Sequence, residues 1–305
     1  MANFKENMGI YPFKPEDKKP ALLRQADYLH FLYPPNNAYT SDNNYLCVST
    51  DTMLVGIYEL GPGGSFDPID IHPGDECYYI LKGPIVQKSS LGQYLQAETN
   101  DGLYIPQESW HKGSNFTSEK ARILFFIAPK AWDEHVPPAV FPKDEDTKMY
   151  KGINNDKLPN MSGRAGIKVF PTTDDIGHWP VDGPSARQYP QSIYRISEEN
   201  KLVTIHGTKQ PTLMKFTVSN DYMNMGEFII PAGGTGPRCS DIDSHGGDCL
   251  LYCCEGPMTI NICDTLEAFT MEPGDSFFIP GGTNYQMCNF EGKPIRAIFC
   301  IAPAL

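Results

Sequence analysis

Gly64-Ser65-Phe66-Asp67-Pro68-Ile69-Asp70-Ile71-His72-Pro73-Gly74-Asp75-Glu76-Cys77-Tyr78-Tyr79-Ile80-Leu81-Lys82-Gly83 is the stretch on which the fold turns. Its first part is broken by Pro68, Pro73 and Gly74, and its second part, from Cys77 to Leu81, is a run of strand-forming residues. Asp70, His72 and Glu76 have the same parity. A strand sends alternate side chains to one face, so these three can share the inner face even across the Pro73-Gly74 turn. Tyr78 and Ile80 then follow inward and line the cavity floor. A second group stands downstream as Pro106, Glu108, His111 and Asn115, with His111 arriving on a strand after the Pro106 turn.

Two imidazoles and one or two carboxylates from separate strands suit a single divalent ion, and Mn, Fe, Zn, Ni and Co all accept that donor set. An open coordination position would then take substrate or water. Either motif alone reads equally well as a surface turn. Their occurrence in order favours a metal at His72, Glu76 and His111. Asp70 is a fourth ligand, an acceptor that orients His72, or a contact with solvent.

A damaged copy lies about 173 residues downstream. His72-Pro-Gly-Asp-Glu76 faces His245-Gly-Gly-Asp-Cys249, and Lys82-Gly-Pro-Ile85 faces Glu255-Gly-Pro-Met258. Tyr104-Ile-Pro106 faces Phe278-Ile-Pro280, and Ile127-Ala-Pro129 faces Ile301-Ala-Pro303. Ordered matches of this kind indicate duplication. In the second copy the site positions read Asp243, His245, Cys249 and Tyr285, so the ligand set does not survive. That barrel is expected to be structural, with a soft Zn site from His245, Cys249 and Cys253, or a metal-free pocket, as alternatives.

Short apolar runs such as Met53–Leu60, Cys77–Leu81, Ile123–Ile127, Glu227–Ile230 and Ile298–Ile301 read as strands between Gly and Pro turns. The expected fold is all-β, two tandem jelly-roll barrels with short helices in the arm and linker. The expected division is an arm over 1–39, a metal-bearing barrel over 40–130, a linker and wrapping segment over 131–209, and a degenerate barrel over 210–305. Lys19–Gln25 reads as a short helix.

Twenty-five basic against 37 acidic residues give a net charge of −12, the opposite of a nucleic-acid footprint. The N-terminus has no apolar signal region and no run reaches the length of a membrane span, so the cytoplasm is the expected compartment. The nine cysteines, seven of them in the second half, read as buried free thiols rather than a disulfide framework. His30, His135, His178 and His206 show no partner pattern. Walker, Gly-x-Ser-x-Gly and His-Glu-x-x-His motifs are lacking.

On these two motifs and the repeat, the chain resembles a bicupin of the cupin superfamily. The first family motif runs Gly, His-x-His, Glu, Gly and stands here as Gly64, Asp70-x-His72, Glu76 and Gly83. The second runs Pro, Gly, His, Asn and stands as Pro106, Glu108, His111 and Asn115. Asp70 replaces the first His, Glu108 replaces a Gly, and the Gly-Asp opening of the second motif is reversed as Asp101-Gly102. The resemblance implies a metal at His72, Glu76 and His111, and it implies that dimers are common. An additional carboxylate at Asp70 lowers the site charge by one, which favours a harder ion and weakens it as a Lewis acid.

The expected function is metal-dependent catalysis on a small oxygen-rich metabolite, by isomerisation, elimination or decarboxylation, with Glu108 or Tyr78 moving the proton. One rival is a non-haem iron dioxygenase using His72, Glu76 and His111. The other is a binding module without turnover. A small-molecule substrate and a homodimer are the expected partners, with no nucleic acid and no membrane.

Overall fold

The computed structural model describes residues 4–33, 42–65, 70–89, 93–129, 171–188, 192–233 and 238–305. His135 and most of the proposed linker, including the Pro-rich stretch over 136–146, lie outside the described residues. The first strands are β1 (Ala21–Leu23), β2 (Leu29–Tyr33), β3 (Asp42–Ser49), β4 (Leu54–Leu60) and β5 (Asp75–Lys82). They continue as β6 (Ile85–Ser89), β7 (Tyr94–Ala97), β8 (Gly102–Ile105), β9 (His111–Ser114) and β10 (Ala121–Ala128). A short helix α1 (Gly183–Gln188) precedes β11 (Tyr194–Ile196) and β12 (Leu202–His206). The second copy runs through β13 (Thr212–Ser219), β14 (Asn224–Ile230), β15 (Arg238–Cys239), β16 (Asp248–Glu255) and β17 (Met258–Ile262). It closes with β18 (Glu267–Met271), β19 (Ser276–Ile279), β20 (Tyr285–Asn289) and β21 (Ile295–Ala302).

Two jelly-roll barrels result. The first pairs a sheet in the order β11-β8-β5-β10-β4-β3-β2 with a smaller sheet β7-β6-β9. The second pairs β1-β19-β16-β21-β14-β13-β12 with β15-β20-β17-β18.

The apolar runs are continuous because each large sheet is buried on both faces. In β10, Ile123, Phe125 and Ile127 fill the first barrel, while Leu124, Phe126 and Ala128 pack against the other barrel. In β21, Ala297, Phe299 and Ile301 fill the second barrel and Ile298, Cys300 and Ala302 face the first. A strand covered on one side only would alternate apolar and polar residues. Cys77 and Cys300 belong to the shared core, Cys249 and Cys253 to the second barrel, and all nine cysteines are free thiols.

One packing detail recurs in both copies. Phe125 and Phe299 lie across Gly56 and Gly226 on the adjacent strand. A Cβ at Gly226 would sit 2.1 Å from the Lys215 carbonyl oxygen and 2.7 Å from the Phe299 ring. We predict that Gly226→Ala lowers stability by about 1–3 kcal/mol, since a backbone carbonyl in a central ladder cannot move aside. Chemical denaturation measures this; an unchanged midpoint would contradict it.

The connecting segments exchange strands between barrels. Residues Ala21–Leu23 form β1, which pairs with Phe278, Phe277 and Ser276 on the edge of the second barrel. The helix expected over Lys19–Gln25 is therefore corrected: a segment this short gains little from helical bonds of its own, and the open edge of β19 supplies partners instead. Reciprocally, β11 from the segment before the second barrel pairs with β8 of the first. The strands β2 and β12 extend the sheets beyond 40–130 and 210–305.

Buried carboxylates lock this exchange. Asp75 accepts from Arg187 at 3.0 and 3.1 Å, Tyr104 at 2.8 Å, Asn220 at 3.1 Å and the Gln107 backbone at 2.9 Å. Its counterpart Asp248 accepts from Lys18, Thr52 and the Gly281 backbone. Likewise Arg195 pairs with Asp101 and Arg24 with Asp275. Among the described residues, no helix is long and apolar enough to cross a membrane.

Candidate metal centre

The first barrel gathers the predicted donors at one end. Glu76 is the second residue of β5, flanked by Ile127 on β10 and Ile105 on β8, and Tyr78 and Ile80 follow it on the inward face. His111 opens β9 opposite Ser89 of β6. Asp70 is bridged to His111 by two backbone hydrogen bonds of 3.0 Å, so the two side chains are cross-strand neighbours. His72 is fixed by its carbonyl, which accepts from the Glu108 backbone at 2.9 Å.

Donor atoms of Asp70, His72 and His111 all lie within 4.8 Å of one another, and Glu76 Oε2 lies 3.0 Å from His111 Nε2 and 3.5 Å from His72 Nε2. Among the described residues Asp70, His72 and His111 form the one such cluster of His, Cys, Asp or Glu, and Glu76 joins it through its contacts with both imidazoles. His111 is fully buried, and its Nδ1 donates to the Ser109 carbonyl at 3.1 Å. That bond leaves the Nε2 lone pair aimed at the cluster, the arrangement metal-binding imidazoles use. Asp70 Oδ1 and His72 Nδ1 are buried without hydrogen-bond partners. Buried polar atoms left unmatched are costly, and a cation among them removes that cost, so these residues fit a divalent ion.

Burial shapes the charges. It pushes Asp70 up to about 7, opposed by His111 and assisted by Glu76. It pushes His72 down to about 4, so that imidazole is neutral at physiological pH. Burial also disfavours the charged forms of Glu76 and His111. For Glu76 the His72 and His111 imidazoles outweigh it and hold the carboxyl below the usual range; for His111 the Glu76 hydrogen bond and charge outweigh it and hold the imidazole above its usual value. An ion must compete with the proton that Asp70 binds near pH 7 and needs the His111 Nε2 lone pair free. We therefore predict that metal affinity falls as pH drops through 7, by roughly tenfold per unit for each proton displaced. Titration with Mn(II) between pH 5.5 and 8 checks the sign; a flat profile would contradict it.

Of the two residues considered for proton transfer, Tyr78 lies at the cluster, its ring 6.0 Å from His111 and edge-on to Tyr58. Burial, then the Glu76 charge, raises its phenol well above the usual value, and it hydrogen-bonds Glu76. Glu108 is exposed on the rim turn with φ of +62°, the left-handed region in which the family motif has Gly. Asn115 is a structural knot: it donates to the Leu60, Gly61 and Glu119 carbonyls and accepts from Thr117. Sequence reasoning missed Tyr33, which hydrogen-bonds Asp70 from β2. Nothing local to Tyr33 signals this, because the contact joins an edge strand to a turn far along the chain.

In the second barrel the same positions make a different structure. Asp243 bridges to Tyr285 as Asp70 does to His111. The His245–Tyr285 rings stand 5.6 Å apart, as do those of His72 and His111. Tyr285 Oη meets His245 Nε2 at 2.6 Å, so a phenol takes the imidazole that a metal would need. Cys249 replaces Glu76 as a buried thiol pushed well above its usual pKa. Neither Cys249 nor Cys253 joins a metal-sized cluster among the described residues.

Comparison with known proteins agrees with this architecture. Residues 56–127 match the family model described as a cupin domain. No curated protein matches the chain in sequence. The chain resembles the protein Ylba from E. coli at 13% identity and a TM-score of 0.59, covering 93% of this chain and 90% of that one. It resembles oxalate decarboxylase from Lactobacillus farciminis, solved as a formate complex, at 10% identity and a TM-score of 0.59, covering 93% and 86%. It also resembles the 7S globulin of Momordica charantia at 13% identity and a TM-score of 0.56, covering 93% and 84%. The first barrel thus carries the match to the cupin domain model, and the likeness to these structures shows that the whole chain shares their two-barrel fold.

Proposed function

We propose that the protein is a metal-dependent bicupin enzyme acting on a small oxygen-rich metabolite, by isomerisation, elimination or decarboxylation. The observation that carries this reading is the convergence of Asp70, His72, Glu76 and His111, with buried donor atoms lacking protein partners. A divalent ion held there would supply Lewis acidity to a carbonyl or hydroxyl oxygen of a chelating substrate. The fold neighbours include oxalate decarboxylases, one of them described by its Mn(II) centres, which is consistent with such chemistry on this scaffold.

The chain's own residues divide the remaining work. Tyr78 hydrogen-bonds Glu76 and orients that carboxylate, and its phenol is one of the two groups placed to move a proton. Gln87 lies on the inward face of β6, opposite Gly113 and two residues from the His111 partner Ser89. Its amide oxygen and nitrogen are buried without partners, so it can both donate to and accept from substrate oxygens. Glu108, exposed beside His72 on the rim, is the carboxylate able to exchange a proton with solvent.

Manganese-, iron-, nickel- and zinc-loaded protein should be tested against a panel of 2-oxo acids, 2-hydroxy acids and oxalate, with and without oxygen. Turnover that persists anaerobically supports the proposal; turnover that requires iron and consumes oxygen would establish the dioxygenase instead. No turnover across the panel with a full metal complement would favour the binding module. With a substrate in hand, Glu108→Gln is expected to lower kcat by roughly 10²-fold at unchanged metal content. Unaltered kcat would remove Glu108 from proton transfer.

A further inference from the structure

The smaller sheet of the second barrel sets two thiols side by side. Cys239 on β15 pairs directly with Cys288 on β20, and among the described residues they are the one pair of cysteines that face each other across a ladder. Tyr285 and Met287 of β20 point into the barrel core, so Cys288 lies on the outer face with Cys239 beside it. Cys288 is 6% exposed and Cys239 is half-buried, which leaves Cys239 open to a reagent in solution.

The ladder fixes the spacing. The Ser240 N–H donates to the Met287 carbonyl at 2.7 Å, so Cys239 and Cys288 occupy the adjoining position, where facing residues exchange no backbone hydrogen bonds. Antiparallel residues at such a position have Cα atoms about 4.5 Å apart, inside the range of about 4.4–6.8 Å over which a disulfide closes. The two thiols are already hydrogen-bonded to each other. The same position in the first barrel is the bridge between Ser65 and Ser114. Both hydroxyls of the first copy are thiols in the second, and only the second pair can join covalently.

We propose that Cys239 and Cys288 form a reversible dithiol–disulfide site that staples β15 to β20. The oxidant is a low-molecular-weight disulfide. The Cys239 thiolate attacks one of its sulfurs, making a mixed disulfide and releasing the first small thiol. The Cys288 sulfur then attacks the Cys239 sulfur, closes the protein disulfide and releases the second small thiol. Two cysteine thiols are oxidised, one small disulfide is reduced to two thiols, and the two cysteine protons end on those thiols. Burial, then the Cys239 hydrogen bond, pushes Cys288 up to about 12, so the second step is the slower one. Its intramolecular character offsets the scarcity of thiolate. The bond closes the segment 239–288, which contains β16, β17, β18 and β19, and ties down the chain leading from β15 to Asp243 and His245.

The test incubates full-length protein with oxidised glutathione at mildly alkaline pH, alkylates the remaining thiols without reductant, and reads the digest by mass spectrometry. The expected result is a peptide pair joined through Cys239 and Cys288, with two of the nine thiols lost, and full reopening by dithiothreitol without unfolding. Cys288→Ser should stop at glutathione carried on Cys239. Cys239→Ser should give neither the link nor an adduct at Cys288, and Cys263→Ser should keep the link in full. Serine stands at both equivalent positions of the first barrel, so the first two variants keep a side chain that this ladder accommodates. A digest without the joined pair would overturn the proposal. So would glutathione left on Cys239 of the wild-type protein, a link between two chains, or Cys239 joined equally to Cys263. The wild-type map needs no variant, so it stays decisive even where a variant fails to fold. None of these readouts depends on metal or substrate in the first barrel.

Discussion

Replacement of His111 by alanine is expected to abolish stable metal binding while both barrels remain folded. Removing residues that merely orient metal ligands costs about 10–100-fold in affinity, so losing a ligand should cost at least about 100-fold. His111 is fully buried, its Nδ1 is held by the Ser109 carbonyl, and its Nε2 stands 3.0 Å from Glu76. Among the described residues no other imidazole joins the cluster, and His72 already contributes its own nitrogen to it. Alanine also removes the imidazole that hydrogen-bonds Glu76. Metal content measured after loading and gel filtration, together with far-ultraviolet circular dichroism, reads both halves of the expectation. The companion variant His245→Ala should keep a full metal complement, since its imidazole is bonded to Tyr285. Retention of metal by His111→Ala would show that the ligand set is wrongly assigned.

The second large effect is structural. Asp75→Ala is expected to destabilise the protein by about 3–5 kcal/mol, the cost of leaving a buried charge without its partner. Asp75 is fully buried and accepts hydrogen bonds from the first barrel, from Asn220 of the second and from Arg187 on α1. Truncation strands the Arg187 guanidinium, whose other partner Asp221 is half exposed. It also takes the acceptor from the Tyr104 hydroxyl and leaves the Asn220 amide only its bond to Tyr104. Asp75→Asn should cost less, because the amide oxygen still accepts from Tyr104 or Gln107. Urea denaturation with a fitted slope separates these cases. A loss under about 1 kcal/mol for the alanine variant would mean that the network contributes little.

The same pentapeptide that reveals the duplication therefore mixes two kinds of residue. His72 and Glu76 were legible as chemistry because their spacing fits strand parity, and Tyr78 and Ile80 follow inward as that parity requires. Asp75, one residue from Glu76, points the other way into the seam between the barrels, and its role could not be read locally. Two of its partners, Arg187 on α1 and Asn220 in the turn after β13, lie more than a hundred residues away. The strands were legible where both faces are buried, as in β10 and β21, because continuous apolar runs survive without any alternation. The exchanged strand β1 was not. Its three residues carry no pattern of their own, and only the exposed edge of β19 gives them a conformation.

The departures from the family motif divide in the same way. Asp70 takes its place through backbone pairing with His111, so a carboxylate can stand where an imidazole is usual without moving either strand. Glu108 occupies a left-handed backbone position without glycine, a strain of about 1–2 kcal/mol. Such strain at the rim of a cluster is an observation that motivates its functional test, since surface turns shed it readily when nothing opposes the change. Tyr285 shows how one substitution converts the second site: the phenol reaches the neighbouring imidazole at hydrogen-bond distance and leaves no gap for an ion.

The most direct measurement is anomalous diffraction from crystals of protein loaded with Mn(II) or Zn(II). The expected map contains a single strong peak within coordination distance of His72, Glu76 and His111 in the first barrel, with Asp70 beside it. A peak only at His245 or among the cysteines of the second barrel, or the imidazoles of His72 and His111 turned away from one another with no peak between them, would contradict the central claim.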